Sequence, residues 1–183
     1  MNNRLFLFFY TIGLIPAVFL HSCSKDAEQA SVDIKYTPAR TYFTYTPLTI
    51  KASEVILYSG FVRVNIDSLL SANGILIGSV ENPRFTKFSI SIASPQEANF
   101  TWLQSARAVV SDNIPDPYLV EIGDVVNGGG TGKTIILQMN YNKIYFGING
   151  FSLTAYATLT GPVPYQWLQM YIDSELKMTL NPI

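Results

Sequence analysis

The sequence predicts an all-β fold, an antiparallel β-sandwich with a jelly roll as one of its forms. Several short segments alternate apolar and polar residues, which is typical of strands with one buried face. Clusters of Gly, Pro, Asn and Asp separate these segments, and no long helical pattern follows the first 22 residues. The length of 183 residues fits about one domain.

The individual strands follow from alternation and from β-branched and aromatic residues. Phe88, Ile90 and Ile92 alternate with serines, which predicts a half-buried strand. Gly60 interrupts another apolar segment and predicts a bulge or bend there. The predicted strands lie at 55–66, 88–92, 105–111, 118–122, 135–141, 151–159 and 165–180.

A single helical turn is predicted from Asp67 to Gly74. Asp67 would cap its N-terminus, and Gly74 would take the left-handed conformation just after its C-terminal end. The tripeptide Asp67-Ser68-Leu69 also resembles the O-glycosylation motif of Bacteroidota envelope proteins. Asp67 therefore has two alternative explanations.

The N-terminal residues have the composition of a secretion signal. Arg4 gives a positive start, and residues 5–20 are apolar and uncharged, whereas a membrane-spanning helix needs about 20 residues. The sequence Leu20-His21-Ser22-Cys23 resembles a bacterial lipobox, with a small residue before the cysteine. This resemblance implies cleavage after Ser22 and acylation of Cys23, with palmitate among the acyl groups. The alternatives are ordinary secretion and an uncleaved anchor.

The polar segment after Cys23 is predicted to be a tether. The expected organisation is a lipoprotein signal at 1–22, the acylated cysteine and tether at 23–35, and the domain at 36–183. Residues 24–28 (SKDAE) resemble the Lys-then-acidic signal of surface-exposed Bacteroidota lipoproteins. This resemblance implies attachment to the bacterial outer membrane with the domain on the cell surface. A plain solvated tether is the alternative.

Histidine and cysteine occur once each, as His21 and Cys23. Cleavage would remove the histidine, and acylation would consume the thiol. The remaining chain would then support no Ser-His-Asp or Cys-His catalysis, no His- or Cys-ligated zinc and no disulfide. The formal net charge of −1 argues against a nucleic-acid partner, which needs a basic patch. We predict no cofactor, no metal site and no catalytic residue.

Two segments resemble ligand-binding motifs, one for phosphate and one for calcium. Residues 127–134 (NGGGTGKT) are similar to a phosphate-binding loop, but that loop needs a following helix, and the next residues alternate like a strand. We therefore predict a strand connection. A group of four acids offers oxygen ligands for Ca²⁺, although the EF-hand spacing is lacking and a turn with solvated acids is preferred. These acids are Asp112, Asp116, Glu121 and Asp124.

A glycosidase with a pair of carboxylates would need no histidine. It requires two acids about 5–9 Å apart, one of them in surroundings that raise its pKa. No glutamate has a distinctive sequence context. The candidates are Glu54, Glu81, Glu97, Glu121 and Glu175.

The last two predicted strands suggest a hairpin with an aromatic outer face. The odd-numbered residues of 151–159 are apolar, as are the even-numbered residues of 165–180. A turn at 161–164 would match polar face to polar face and create a candidate interaction surface. Coverage by another segment, or cross-strand stabilisation alone, is the alternative. The residues brought together in this way are Tyr156, Trp167 and Tyr171.

Several segments resemble a group of uncharacterised Bacteroidota lipoproteins. The resemblance implies a β-sandwich domain of the cell envelope and transfers no catalytic residues. The segments that carry it are 66–74 (IDSLLSANG), 88–95 (FSISIASP), 99–103 (NFTWL), 151–153 (FSL) and 180–182 (LNP).

These expectations combine into a lipid-anchored envelope domain that binds or scaffolds rather than catalyses. The first interpretation is an accessory subunit of an outer-membrane protein complex, with an envelope protein as partner and with the membrane held through Cys23. The alternative is a glycan-binding module on the cell surface. The third interpretation is the carboxylate-dependent glycosidase.

Overall fold

Two antiparallel β-sheets pack face to face in the computed structural model, which describes residues 30–47, 54–111, 119–126, 131–145 and 150–183. The β10 sheet contains β1 (Val32–Tyr36), β2 (Thr41–Tyr45), β4 (Gly78–Ser94), β7 (Thr134–Ile136) and β10 (Leu168–Pro182). The β9 sheet contains β3 (Val55–Arg63), β5 (Leu103–Ser111), β6 (Val120–Val126), β8 (Gln138–Met139) and β9 (Gly150–Leu159). Within the described ranges the one helix is α1 (Ile66–Ala72). The predicted all-β sandwich is confirmed.

The order of the strands is that of a jelly roll. β1 and β2 pair with successive halves of one edge of β10, and β4 and then β7 follow on its other side. The order in the second sheet is β3-β9-β5-β6-β8. Most connections pass from one sheet to the other, because a jelly roll folds one antiparallel ribbon over into two layers.

β9 and β10 do not form the predicted hairpin. β9 pairs with β3 and β5, whereas β10 pairs with β1, β2 and β4 in the other sheet. The chain leaves β9 in another direction, since the backbone N–H of Thr160 donates to the Trp102 carbonyl oxygen at 2.9 Å. The prediction was wrong because the alternation of apolar and polar residues in the two strands shows only that each strand has a buried face. Strands that face each other across a core match in the same way as neighbours do.

The two sheets bury the apolar faces that alternation predicted. The apolar even-numbered residues between Leu168 and Leu180 are at most 3% exposed, and the odd-numbered residues of 151–157 are at most 2% exposed. Ser174, the polar interruption on the β10 face, is only partly buried. The rings of Phe85 and Phe151 meet edge to face at 5.5 Å and so join the two sheets.

β4 is longer and more deeply buried than its alternation predicted. It runs over Gly78–Ser94, and Ser89 and Ser91 are only 5% and 3% exposed, nearly as buried as the apolar residues that alternate with them. β4 lies between β10 and β7, so that Ser91 is opposite Tyr171 on one side and Thr134 on the other. The hydroxyls of Ser91 and Thr134 are hydrogen bonded at 2.8 Å. Alternation therefore identified the core face, but not whether neighbouring strands cover the other face.

Asn65, not the predicted Asp67, caps the N-terminus of α1. The side-chain oxygen Oδ1 of Asn65 accepts the backbone N–H of Ser68 at 2.9 Å, and Asp67 lies in the first turn. Both residue types cap helices well, and the helix starts one residue before the predicted cap. Ser68 is exposed. Gly74 has a φ of 75°, as predicted for the residue after the helix.

Gly60 does not mark a bulge. It pairs regularly with Leu153, and the irregularity in β3 lies between Ile56 and Tyr58 instead. A β-carbon at Gly60 would lie 2.7 Å from Cζ of Tyr58. The glycine therefore makes room for the Tyr58 ring, which is a second reason why glycine occurs within a strand.

The first strand begins at Val32, inside the segment that was predicted to be a tether. Asp33 and Lys35 are exposed, whereas the apolar residues that alternate with them are half-buried and belong to the sheet. The strand pairs with residues 176–180 of β10. The charged residues of β1 lie on its outer face, and they made this short strand look like part of a polar tether in the sequence. The domain therefore includes residues 32–35.

The strand registers define two ends of the sandwich. At the entry end Val32 pairs with Leu180 and Gly78 with Pro182, so that the described chain begins beside the α1–β4 connection. At the far end Leu168 pairs with Tyr45, beside the β2–β3 and β9–β10 connections. The 15 residues of β10 span about 45 Å between the two ends.

Candidate functional site

The structure divides the predicted aromatic cluster between the two sheets. Tyr156 lies on β9, opposite Arg107 of β5, and Tyr171 lies on β10, opposite Tyr42 of β2. The two tyrosines therefore do not share a surface, because the hairpin that would join them is absent. Trp167 precedes β10 and is 48% exposed.

An aromatic surface lies towards the far end of the β10 sheet, with two tyrosines on the outer side of the sheet and an exposed tryptophan just before β10. We define it by Tyr42, Tyr171 and Trp167. The rings of Tyr42 and Tyr171 are tilted by 53° with their centroids 5.6 Å apart, and Tyr42 is 58% exposed. Trp167 is four residues before Tyr171, a distance of about 13 Å along an extended chain. Tyr42 was missed in the sequence because only the tertiary pairing of β2 with β10 brings it here.

Arg40 holds Tyr171 in place from above the ring. Its guanidinium carbon lies 4.1 Å from the ring centroid, a cation–π contact. The same guanidinium donates two hydrogen bonds to Asp173, at 2.8 and 2.9 Å. These bonds to Asp173 are the main cause of a raised Arg40 pKa, followed by a hydrogen bond with Tyr42. Because the arginine covers Tyr171, the more exposed rings of the aromatic surface are Tyr42 and Trp167.

Ion pairs occupy the same face nearer the entry end. Lys35 lies 3.3 Å from Glu175, and Lys177 lies 3.0 Å from Asp33. A hydrogen bond from Thr179 is the main cause of a lowered Asp33 pKa, and Lys177 adds to it. The charges of these side chains are paired with one another. This part of the face is therefore polar, whereas its exposed aromatic residues lie towards the far end.

A hydrogen bond from Thr86 likewise lowers the pKa of Glu175, and Lys35 contributes in the same direction. The Thr86 hydroxyl donates to Glu175 Oε1 at 2.7 Å. Thr86 is the extra residue of β4 where the pairing with β10 shifts between Glu175 and Leu176. This bulge in β4 thereby directs the Thr86 hydroxyl towards the Glu175 carboxylate on the outer face.

An arginine groove of about 160 Å³ lies on the outer side of the β9 sheet. Arg107 donates two hydrogen bonds to Glu54, at 2.9 and 3.0 Å, and its guanidinium lies 4.2 Å above the Tyr156 ring. Glu121 is 3.8 Å from the same guanidinium. Asp124 also lines the groove. The predicted residue Tyr156 thus forms part of a polar groove rather than of an aromatic surface.

The groove brings two of the candidate glutamates together, but its electrostatics differ from those of a glycosidase. Hydrogen bonds from Arg107 hold the pKa of Glu54 below its ordinary value. A general acid requires the opposite shift. The arrangement supports binding through hydrogen bonds.

The Gly-rich segment leads into a strand, as predicted. Residues 127–130 lie outside the described part of the chain, and Thr134–Ile136 is β7. The Nζ of Lys133 donates to Oε1 of Gln96 at 3.0 Å, and the carbonyl oxygen of Gly132 accepts the backbone N–H of Phe100 at 3.2 Å. No helix follows Lys133 to direct its N–H groups at a phosphate.

The four acids considered for calcium are not gathered into a site that can be described. Asp112 and Asp116 lie outside the described residues, whereas Glu121 and Asp124 line the arginine groove. In the residues that the structure covers, no group of three or more His, Cys, Asp or Glu side chains could hold a metal ion.

The proposed lipidation site, Cys23, also falls outside the described ranges. Among the helices that those ranges contain, none has the length and apolar character needed to cross a bilayer.

Comparison with known proteins leaves the family of this chain open. No model of a known protein family matches it, and neither does any curated protein. A solved structure of Desmodium yellow mottle tymovirus is similar over 84% of this chain and 90% of that chain, at 11% identity and a TM-score of 0.31. An empty-head structure of turnip yellow mosaic virus is similar over 98% and 90%, at 11% identity and a TM-score of 0.28. At these values the likeness assigns neither a family nor a function.

Proposed function

We propose that the protein is a lipid-anchored, non-catalytic binding subunit of a bacterial envelope complex, and that it contacts its partner through the aromatic surface. The observation that carries this proposal is the exposure of Tyr42 and Trp167 towards the far end of the β10 sheet. That end lies about 45 Å along β10 from the entry end.

The chemistry of this surface suits a protein partner. Tyr and Trp contribute large contact areas at small entropic cost, and both are enriched among the residues that dominate binding energy. The clamp of Arg40 on Tyr171 pre-orders the floor of the surface, so that less conformational freedom is lost on binding. Ser91, which lies opposite Tyr171 on β4, is buried, so the aromatic rings are the more prominent side chains there.

The anchoring part of the proposal depends on Cys23. Acylation there would attach the chain to the outer membrane, and residues 24–31 would link the lipid to β1. Several acyl chains on one residue give stable attachment, because each buried methylene adds about 0.8 kcal/mol. The domain would then display its far end away from the bilayer, on the cell surface.

The test is retention of the partner by a variant that carries both Tyr42→Ala and Trp167→Ala. The native complex is extracted in mild detergent, and the proteins that accompany the tagged chain are compared by mass spectrometry. We expect the double variant to lose a partner that wild type retains. Its melting temperature should fall only slightly, through the lost contacts of Tyr42 with Tyr171 and Arg40, because both side chains are about half exposed.

The matched control combines Tyr141→Ala and Tyr145→Ala. These tyrosines are similarly exposed, at 60% and 53%, but lie in the segment after β8. The control should retain the partner. Equal loss in both variants, or full retention in the first, would contradict a binding role for the aromatic surface.

A glycan-binding module is the second candidate, because exposed aromatic rings also stack on sugars. Gln169 and Thr44 pair beside Tyr171 and Tyr42 and offer hydrogen-bonding groups next to the rings. The purified chain alone should then bind an envelope polysaccharide, and the Tyr42→Ala and Trp167→Ala variant should not. Binding to a protein partner but to no polysaccharide would decide for the first candidate.

A further inference from the structure

The connection between α1 and β4 carries an apolar tip at the entry end of the sandwich. Leu76 is 96% exposed and Ile77 is 69% exposed. Residues 71–80 (SANGILIGSV) contain no charged side chain. Two adjacent large apolar residues presented in an uncharged segment indicate a surface that another apolar phase covers.

The fold holds this tip rigidly. The N–H of Ile75 donates to the Leu70 carbonyl at 2.9 Å, and that of Gly74 donates to the Ser71 carbonyl at 3.0 Å, which together form a Schellman motif. Ile75 itself is 1% exposed and anchors the connection in the core.

Backbone contacts with the end of β10 restrain the other side of the tip. The N–H of Ile183 donates to the Ile77 carbonyl at 3.1 Å. A β-carbon at Gly78 would lie 2.5 Å from the Asn181 carbonyl oxygen, so the two strands approach closely there. Leu76 and Ile77 are therefore presented outward from a backbone that is fastened on both sides.

The tip lies where the chain enters the domain. Val32 pairs with Leu180, and Gly78 pairs with Pro182 two positions further along β10. Residues 24–31 separate Cys23 from β1, and the nine Cα–Cα steps from Cys23 to Val32 reach at most about 32 Å when fully extended. A lipid on Cys23 therefore keeps the entry end, rather than the far end, close to the bilayer.

We propose that the apolar tip inserts into the lipid surface and forms a second membrane contact beside the acylated cysteine. The inference rests on the anchoring in the proposed function. Because the tip segment has no charge, its burial among acyl chains removes no ionic group from water. One contact at the tip and one at the lipid fix the tilt of the domain and direct the aromatic surface away from the membrane.

The experiment places a polarity-sensitive nitrobenzoxadiazole probe at residue 76. Cys23 is the only cysteine, and acylation would block its thiol, so Leu76→Cys supplies a single labelling site. The full acylated chain is reconstituted into phosphatidylcholine vesicles, with or without doxyl groups on the acyl chains. The control is Thr131→Cys, an exposed position in the β6–β7 connection at the far end. Unsubstituted chain, treated in parallel, shows whether Cys23 takes up label.

We expect blue-shifted emission and doxyl quenching at residue 76, and water-like emission without quenching at residue 131. Water-like emission at residue 76 in an acylated, vesicle-bound chain would overturn the tip contact and leave the anchoring intact. A shift that appears only after an envelope protein is added would assign the tip to that protein and would also overturn the proposal.

Mass spectrometry of the same sample separates this inference from the anchoring. A chain without acyl groups contradicts the anchoring, and if that chain also fails to float with the vesicles, the tip contact fails with it. A chain without acyl groups that floats and shows a quenched probe at residue 76 supports the tip contact on its own.

Discussion

Tyr156 and Tyr171 lie on opposite sheets, and each has an arginine guanidinium about 4 Å above its ring. A carboxylate holds each arginine with two hydrogen bonds, Glu54 in one case and Asp173 in the other. A cation–π contact adds electrostatic attraction between each arginine and the ring beneath it. The same arrangement of carboxylate, arginine and tyrosine thus stabilises the outer face of each sheet. Because an arginine covers each of these tyrosines, other aromatic residues, such as Tyr42 and Trp167, are more exposed.

Acylation is expected at Cys23. Mass spectrometry of the native protein should find a diacylglyceryl or triacylglyceryl cysteine as the first residue of the mature chain. Cys23→Ala should release the domain from the membrane fraction, because the acyl chains supply the attachment. A mature N-terminus at another residue would contradict this prediction.

The N-cap of α1 can be tested with two neighbouring substitutions. Asn65→Ala should lower the free energy of unfolding by about 1 kcal/mol, because the Ser68 N–H loses its acceptor. Asp67→Ala removes only a charge near the helix N-terminus, an effect of roughly 0.3–1 kcal/mol that salt screens. Urea unfolding of both variants at raised salt should therefore rank Asn65 above Asp67, and the reverse order would assign the cap to Asp67.

Gly150 is expected to tolerate no side chain. Its φ is 139°, and a β-carbon there would lie 3.0 Å from the Val62 carbonyl carbon, with the carbonyl oxygen closer still. Gly150→Ala should lower the free energy of unfolding by more than about 1 kcal/mol. Gly161→Ala is the matched control, since nothing lies within 4 Å of a β-carbon at that position. Similar melting temperatures for the two variants would refute the predicted strain.

The ion pair of Glu54 with Arg107 should make stability depend on pH below neutrality. The folded-state pKa of Glu54 is lowered from 4.5, so the carboxylate stabilises the fold above that value. The contribution is lost as the pH falls through the lower folded-state pKa. Because both side chains are more than a third exposed, we expect only about 0–1 kcal/mol, and less at high salt.

The measurement compares urea unfolding of wild type and Glu54→Gln at several pH values. The variant should be less stable than wild type at pH 7, and the difference should disappear in acid. Glu97→Gln is the control, since Glu97 is also an exposed glutamate. A difference for Glu54→Gln that persists unchanged in acid would show that packing rather than charge is responsible.

The sequence by itself determined the β class, most strand segments and the buried face of β10. These features depend on alternation and turn residues, which act over a few neighbouring positions. Gly74 belongs to the same group, because a helix end needs a residue that accepts a positive φ. The cap at Asn65 and the start of β1 were missed by a few residues, since several polar residues compete at each boundary.

Only the tertiary structure decided which strands are neighbours. Arg40 and Asp173 are 133 positions apart, and Arg107 and Glu54 are 53 apart, so no local pattern connects them. The aromatic surface depends on the pairing of β2 with β10 in the same way. Two strands with matching alternation bury their apolar faces equally well side by side or across the core. The choice between these arrangements depends on the packing of all the strands in the described part of the chain, which is why β9 and β10 lie in different sheets.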